Sequence, residues 1–486
     1  MPNCDRVNTK SGEDRHRHYT APARRSCAAL LSPLPWGEGA RQGGEGHHFG
    51  VARAAVDDAR VESAPLIRSL RDHLLPEGEG ISRCVSPYAT AFRVSRRGLL
   101  GSLAALPFAG RAPAFAADPS APWFHIDQEA QAAWAVTPTP DNPLKVTIRR
   151  RDAGQRPAKS RVLVLYPRPS SAYDVAISRI LDVFAEKDLD VELTAINFRT
   201  EPDRGRAALQ LAERQGYELI FSMGSESTAW AYQHYRGGKL PVVSVCAKDP
   251  VQLGQIGDYE TGSGTNFAFT SLNMPVDAQL TYLLELKPNL RNLGILVDAK
   301  NVSAVQTQAE PMARLAARRG LQVLTVAVKD PAQAAAELKT LLPQAVAAMR
   351  KSDVDLGNSV FVVTGSTAVF KEIATINAHA DRVPVLSMVP EVVAPGDDSA
   401  VLSIGISFES NAHLAAIYGA DVLRGRARVG DLKVGIVSPP DIAINFRKAR
   451  EIGLKVPFRF FESASFVYDY EGRPVRANGR SVVAAR

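Results

Sequence analysis

From Arg161 onward, short apolar, β-branched runs alternate with longer stretches of helical periodicity. The runs 162–165, 191–196, 219–222, 242–246, 293–297, 322–326, 360–363, 383–386 and 400–403 read as strands. Between them, 173–187, 204–215, 227–235, 274–286, 303–319, 331–350 and 368–380 carry helical spacing. Such alternation implies parallel sheets covered by helices on both faces, and short apolar strands without strict alternation suit burial on both sides. The rhythm runs for four units, breaks around 259–273 and resumes. The predicted fold class is therefore α/β, with two doubly wound parallel-sheet lobes in series and a cleft between them as the natural ligand site.

Upstream the pattern is lost. Residues 1–84 show no sustained apolar periodicity and are dense in Arg, Gly, Pro and His, so they are expected to have no fold. Two phrases in them, Leu31-Ser-Pro-Leu-Pro-Trp-Gly-Glu-Gly and Leu74-Leu-Pro-Glu-Gly-Glu-Gly, resemble translated copies of a repeated bacterial intergenic element. The start of the working protein is accordingly expected downstream, with Val85 or Val94 read from an alternative codon. Residues 85–116 fit a signal peptide: Ser95-Arg96-Arg97 leads into an apolar middle, and Ala114-Phe115-Ala116 precedes Ala117-Asp118. Pro107 and Arg111 interrupt that middle, which falls short of the ~20 residues a bilayer span needs. The arginine pair resembles a twin-arginine export signal, with the ordinary secretory route as the alternative, so the location expected is the periplasm. Residues 117–159 read as a Pro- and Ala-rich linker with one strand at 144–148.

Composition narrows the function classes. At 486 residues, 45% hydrophobic and 22% charged, the chain is ordinary globular material for two or three domains. The formal charge of +7 is dispersed, without the clustered Lys/Arg and interleaved aromatics of a nucleic-acid face, so no nucleic-acid partner is expected. Of the cysteines Cys4, Cys27, Cys84 and Cys246, only the last follows the expected leader. In its apolar run it reads as a small buried hydrophobe.

In an open parallel sheet, ligand contacts come from loops at the carboxyl ends of the strands, where the next helix also presents free N–H groups. Those loops hold Ser170, Ser171 and Tyr173 after the first strand, Ser225, Glu226 and Ser227 after the third, and Asp249 after the fourth. In the second unit they hold Asn301 and Ser303, then Ser366 and Thr367, then Glu391. Each such residue is also an ordinary helix cap, and both roles stay open for any single loop. Catalytic patterns are thin. Gly224-Ser225-Glu226-Ser227-Thr228 lacks the closing Gly of a nucleophile elbow, and His125, His234, His379 and His413 stand singly. The exported part holds no zinc-type spacing, phosphate loop or dinucleotide fingerprint, so no enzyme activity, metal or cofactor is expected.

Several phrases in order resemble the ABC-transporter substrate-binding proteins of type I periplasmic fold, the group that includes tryptophan and tyrosine binders. They are Asp249-Pro250-Val251, Leu286-Lys-Pro-Asn-Leu-Arg-Asn-Leu-Gly-Ile-Leu-Val, Ile406-Ser-Phe-Glu-Ser410, and Ile444-Asn445-Phe-Arg-Lys-Ala-Arg-Glu-Ile-Gly-Leu-Lys-Val-Pro457. The resemblance implies three crossings between lobes: 160–273 plus 405–430 in the first lobe, 274–404 plus 431–470 in the second, and a tail at 471–486. It also implies hinge closure on a small ligand, a membrane permease that reads the closed form, and a monomer. Ser170, Ser171, Ser225 and Ser227 would then suit a ligand carboxylate, Asp249 and Glu391 an ammonium, and Tyr173 an apolar or aromatic part, giving an amino-acid-like ligand. Arg168 would instead suit an acidic one. A receptor-linked sensor subunit and an exported hydrolase are the alternatives.

Overall fold

The computed structural model describes residues 121–154 and 157–482. The segment 1–84, the signal peptide expected at 85–116 with its arginine pair, and residues 483–486 lie outside the described residues.

The first sheet contains β1 (Trp134–Thr139), β2 (Asn142–Arg150), β3 (Ser160–Tyr166), β4 (Val191–Asn197), β5 (Leu219–Met223), β6 (Val242–Val245) and β7 (Phe267–Ala268), in the order β1-β2-β4-β3-β5-β6-β7. The pairings from β4 to β7 are parallel, while β1–β2 and β2–β4 are antiparallel. After β8 (Thr270–Ser271) the chain enters a second sheet with β9 (Asn292–Asp298), β10 (Gln322–Val328), β11 (Ser359–Val363), β12 (Val385–Ser387) and β13 (Leu402–Gly405). β14 (Gly435–Ile436) pairs with β8, and β15 (Asp441–Asn445), β16 (Ala464–Tyr468), β17 (Pro474–Ala477) and β18 (Arg480–Ser481) complete the second sheet. Its order is β10-β9-β11-β12-β13-β15-β16-β17-β18. All nine strands expected from the apolar runs overlap observed strands.

Strand pleating explains why these strands read as continuous apolar runs. In β3, Val162, Val164 and Tyr166 join one core cluster with Phe184 and Phe221, whereas Leu163 and Leu165 join another with Leu209 and Phe267. With side chains pointing alternately to two helix-covered faces, no position is left for a polar residue. The helix Ser171–Glu186 covers one face with Ala176, Ile177, Ile180, Leu181 and Phe184. Helix Phe408–Leu423 follows β13 of the second sheet but packs on Ser171–Glu186 and β6, so it covers the first. The chain therefore passes between the sheets near 272–275, again at 405–407, and again between β14 and β15.

Two expectations need correction. Within 117–159, the described residues from Ala121 form helix Gln128–Ala133 and the hairpin β1–β2, where the sequence had suggested a linker with one strand. Trp123 and Phe124 pack edge-to-face on Tyr166, with centroids 5.3 and 5.8 Å apart, and Leu144, Val146 and Ile148 are buried. The prolines had obscured this pattern of alternate burial. The expected tail contains the hairpin β17–β18, whose two-residue loop Asn478-Gly479 has positive φ at both positions, the twist that matches flanking strands.

Candidate ligand site between the lobes

Both sheets order their first four parallel strands second–first–third–fourth, β4-β3-β5-β6 and β10-β9-β11-β12. The order reverses direction beside β3 and β9, so the loops leaving β3, β5, β9 and β11 flank the natural crevices. All twelve residues singled out in the sequence lie on the loops after β3, β5, β6, β9, β11 and β12 or in the first turn of the helix that follows, but their polar atoms are engaged very differently.

On the first lobe, Ser170 precedes helix Ser171–Glu186 without making a side-chain cap bond, and Ser171 is exposed. Tyr173 is buried, its ring edge-on to Tyr166 at 5.8 Å and its hydroxyl over Gly224. Burial raises its phenol pKa. Ser225 Oγ accepts the Lys248 N–H at 2.9 Å and so tethers the β5 loop to the β6 loop. Ser227 points into the strand–helix seam, where its hydroxyl meets Ser222 Oγ at 2.8 Å and the Leu165 carbonyl at 3.2 Å. Glu226 pairs with Arg168 at 2.7 Å, so the charge that would have met an acidic ligand is already met within the same lobe. Asp249 is the most heavily committed of the set. Oδ1 accepts from the Val251 and Gln252 N–H groups at 2.9 and 3.0 Å, and Oδ2 from Tyr259 Oη at 2.6 Å and Gln252 Nε2 at 3.2 Å.

On the second lobe, Asn301 Oδ1 caps the Ala304 N–H at 3.1 Å and accepts from Ser303 Oγ at 3.0 Å, so this pair closes on itself. Thr364 Oγ1 donates to the Leu296 carbonyl at 2.9 Å. The buried Ser366 hydroxyl, 3.0 Å from Thr364 Oγ1, must therefore be the donor between them. Thr367 opens the next short helix, half-buried. Glu391 keeps an exposed face while Oε1 accepts the Phe408 N–H at 2.6 Å, which holds a second-lobe carboxyl at the N-terminus of a helix that packs on the first. Although part of the residue is exposed, desolvation of the carboxyl raises its pKa, to about 8, against the lowering effect of bonds from its own N–H and from that of Phe408.

The seam between the lobes is built by residues that the sequence reading did not single out. Asn273, at the first crossing, accepts the Asp249 N–H at 3.3 Å and donates through Nδ2 to the Thr307 carbonyl and hydroxyl at 3.0 and 3.1 Å. Pro311 has no N–H to give the Thr307 carbonyl four residues back, and the helix there relaxes into a π turn at Val305–Ala309. That turn also brings Gln308 inward, where Oε1 accepts the Gly365 N–H at 2.8 Å. From the other lobe, the Lys248 ammonium ends against Gly365. A methyl placed on Gly365 would collide with Lys248 Nζ and stand 3.3 Å from Gln308 Oε1, so only glycine admits this close approach. Lys248 is 5% exposed, and its ammonium has no hydrogen-bond or ion-pair partner among the described residues. Burial lowers its pKa to about 8. The signals available in sequence were weak: a lysine closing an apolar run, and a proline within a helical pattern.

Two surface hollows lie elsewhere. At one, Arg459 and Glu285 neutralise each other at 3.1 Å; at the other, Lys287 Nζ donates to the Gly357 carbonyl at 2.7 Å. The second also holds Arg382 and Lys455, but both are exposed, unlike Lys248 at the seam. Among the described residues no His/Cys/Asp/Glu group is arranged to hold a metal, and no helix is long and apolar enough to cross a membrane.

Two mostly parallel α/β lobes, joined by a chain that passes between them and faced with polar loops at the seam, define a type I periplasmic binding fold. Residues 168–467 match the family model described as ABC transporter substrate binding protein, and the chain belongs to that family. Among solved structures, a conserved domain protein from Vibrio cholerae is 17% identical with a TM-score of 0.51, covering 63% of this chain and 99% of that one. An ABC domain from Streptococcus pneumonia in complex with L-Trp is 20% identical (TM-score 0.49; 64% and 100% covered). A ligand-free, open substrate-binding protein with adhesive properties from Clostridium difficile is 17% identical (TM-score 0.49; 63% and 98% covered). No curated protein matches by sequence. Membership implies a small-molecule ligand and an ABC permease partner, in a family that normally binds its ligand without transforming it and typically works outside the cytoplasm.

Proposed function

We propose that this chain is the exported solute-binding component of an ABC importer, holding a small, polar, amino-acid-like ligand between its lobes and presenting the closed form to a permease. The observation that carries this reading is the meeting of polar groups from both lobes at one seam: Lys248 against Gly365, Asn273 against Thr307, and Glu391 against the start of helix Phe408–Leu423. A ligand that bonds to both sides stabilises the closed form by its differential affinity for it, which is the physical content of hinge closure. Glu391 is the group best placed for a ligand ammonium, because its carboxyl is held by backbone N–H groups alone and has no cationic side chain paired with it among the described residues. Asp249 acts instead as the cap of its own loop. Ser170, Ser171 and Thr367 supply hydroxyls with no partner among the described residues. Export rests on the basic head, short apolar middle and Ala114-Phe115-Ala116 of the leader, with Ser95-Arg96-Arg97 favouring the twin-arginine route.

The test is a melting-temperature screen of the purified protein against amino acids, short peptides, sugars and organic acids, with small-angle scattering of every hit. One ligand class raising the melting temperature as ln(1 + [L]/Kd), together with a smaller radius of gyration, is the expected result. A hit that is consumed on incubation would move the reading to a hydrolase.

A further inference from the structure

Lys248 and Gln308 come from different lobes and meet at Gly365. Each is 5% exposed. The Gln308 amide is oriented by its own bond: Oε1 accepts the Gly365 N–H at 2.8 Å, so Nε2 is the atom turned elsewhere, and it has no partner among the described residues. Around Gly365, two donors of largely buried residues, one of them cationic, thus lack an acceptor among the described residues, and neither donor atom is wholly shut off from solvent. Among the described residues no carboxylate answers them. Asp249, the neighbour in sequence, spends both oxygens on its own loop, and Glu226 is paired with Arg168. An ammonium on a largely buried side chain is costly to keep without a partner, and an anion that reaches it offsets that cost.

We propose that Lys248 Nζ and Gln308 Nε2 form a carboxylate-binding subsite straddling the two lobes, so that the protein selects ligands bearing a carboxylate and closes on that group. This deepens the binding reading above and rests on it. It moves carboxylate recognition from the serines of the β3 and β5 loops to the inner end of the β6 loop and the π turn. Selection follows from the same physics: a neutral analogue leaves the ammonium without a counter-charge, whereas a carboxylate can accept from both donors, its own charge strengthening each bond.

The experiment uses acids beside their primary amides: L-leucine and L-leucinamide, L-tyrosine and L-tyrosinamide, succinate and succinamide. Each is titrated by calorimetry and melting temperature into the wild-type protein, Lys248→Met and Gln308→Leu. As a probe that needs no natural ligand, sodium acetate is compared with sodium chloride at equal ionic strength. In the wild type, the best acid should bind roughly 30-fold or more tighter than its amide, the range for a bond to a charged group. Lys248→Met should abolish that preference, Gln308→Leu should reduce it roughly tenfold, and acetate should raise the melting temperature of the wild type alone. An amide that binds within about threefold of its acid, or Lys248→Met with acid affinity intact, overturns the subsite. If a neutral sugar binds and closes the protein, the binding-protein reading stands and the subsite falls. If acetate acts only on the wild type while every organic probe is silent, the subsite stands and the amino-acid-like reading falls. Silence from every probe, acetate included, removes both. Gly365→Ala, which places a methyl in the path of Lys248 Nζ without removing a charge, should weaken the best acid in the same direction, and guards against a misfolded lysine variant.

Discussion

The two lobes repeat the same strand order, and at matching loops they spend their polar residues in different ways. On the first lobe the loops neutralise charge among themselves: Arg168 with Glu226, and Asp249 with the N–H groups of 251 and 252 and the hydroxyl of Tyr259. On the second they neutralise dipoles: Asn301 with Ser303 and Ala304, Ser366 with Thr364. Lys248 and Gln308, one from each side, are exceptions, as are the exposed or half-buried hydroxyls of Ser170, Ser171 and Thr367. A polar residue at the carboxyl end of a strand is thus available to a ligand only when its own loop does not claim it. Availability depends on a residue's hydrogen-bonding neighbours as well as its topological position.

The sharpest way to break the comparison is to remove a residue whose loop claims it fully. Asp249→Ala strips acceptors from two backbone N–H groups and two side chains. It should lower stability by about 3 kcal/mol in urea unfolding, more than any other loop substitution discussed here. Lys248 should give the next effect, through pH. Its folded-state pKa is depressed from 10.5 to about 8 by desolvation, and the group that faces it, the Cys246 thiol, is itself pushed up by burial and neutral. Between these values the unfolded chain binds the proton and the folded one does not, so stability should rise with pH from about 8 to about 10.5, by on the order of 3 kcal/mol. Lys248→Met should remove that rise, and a profile unchanged by the substitution would sink the assignment. Asn301→Ala deletes a working cap and should cost about 1 kcal/mol without altering ligand affinity. Smallest of all, Ser170→Ala should stay within about 0.5 kcal/mol in stability, because its hydroxyl caps nothing. Any loss from that variant should be seen in ligand titration instead.

Much of the molecule was legible beforehand, because burial of a strand on both faces leaves an unbroken apolar run that needs no knowledge of its neighbours. The runs that became β3, β5 and β9 are of this kind. Other elements hid their signal. The Asn478-Gly479 pair is a turn in plain sight, but β17 and β18 around it are too short and polar to read as strands. Prolines 138, 140 and 143 masked the hairpin whose inner face is Leu144, Val146 and Ile148.

The sequence by itself therefore determined the α/β class, the nine core strands and the family, since these depend on local periodicity and on ordered phrases along the chain. Which polar residues remain free was decided by tertiary structure. Lys248 is buried because another lobe's Gly365 lies against it, and Gln308 faces the seam because Pro311 forces a π turn that Asn273 completes from the crossing segment. Neither effect is encoded within one helix or strand: each requires two segments far apart in the chain to occupy the same few ångströms.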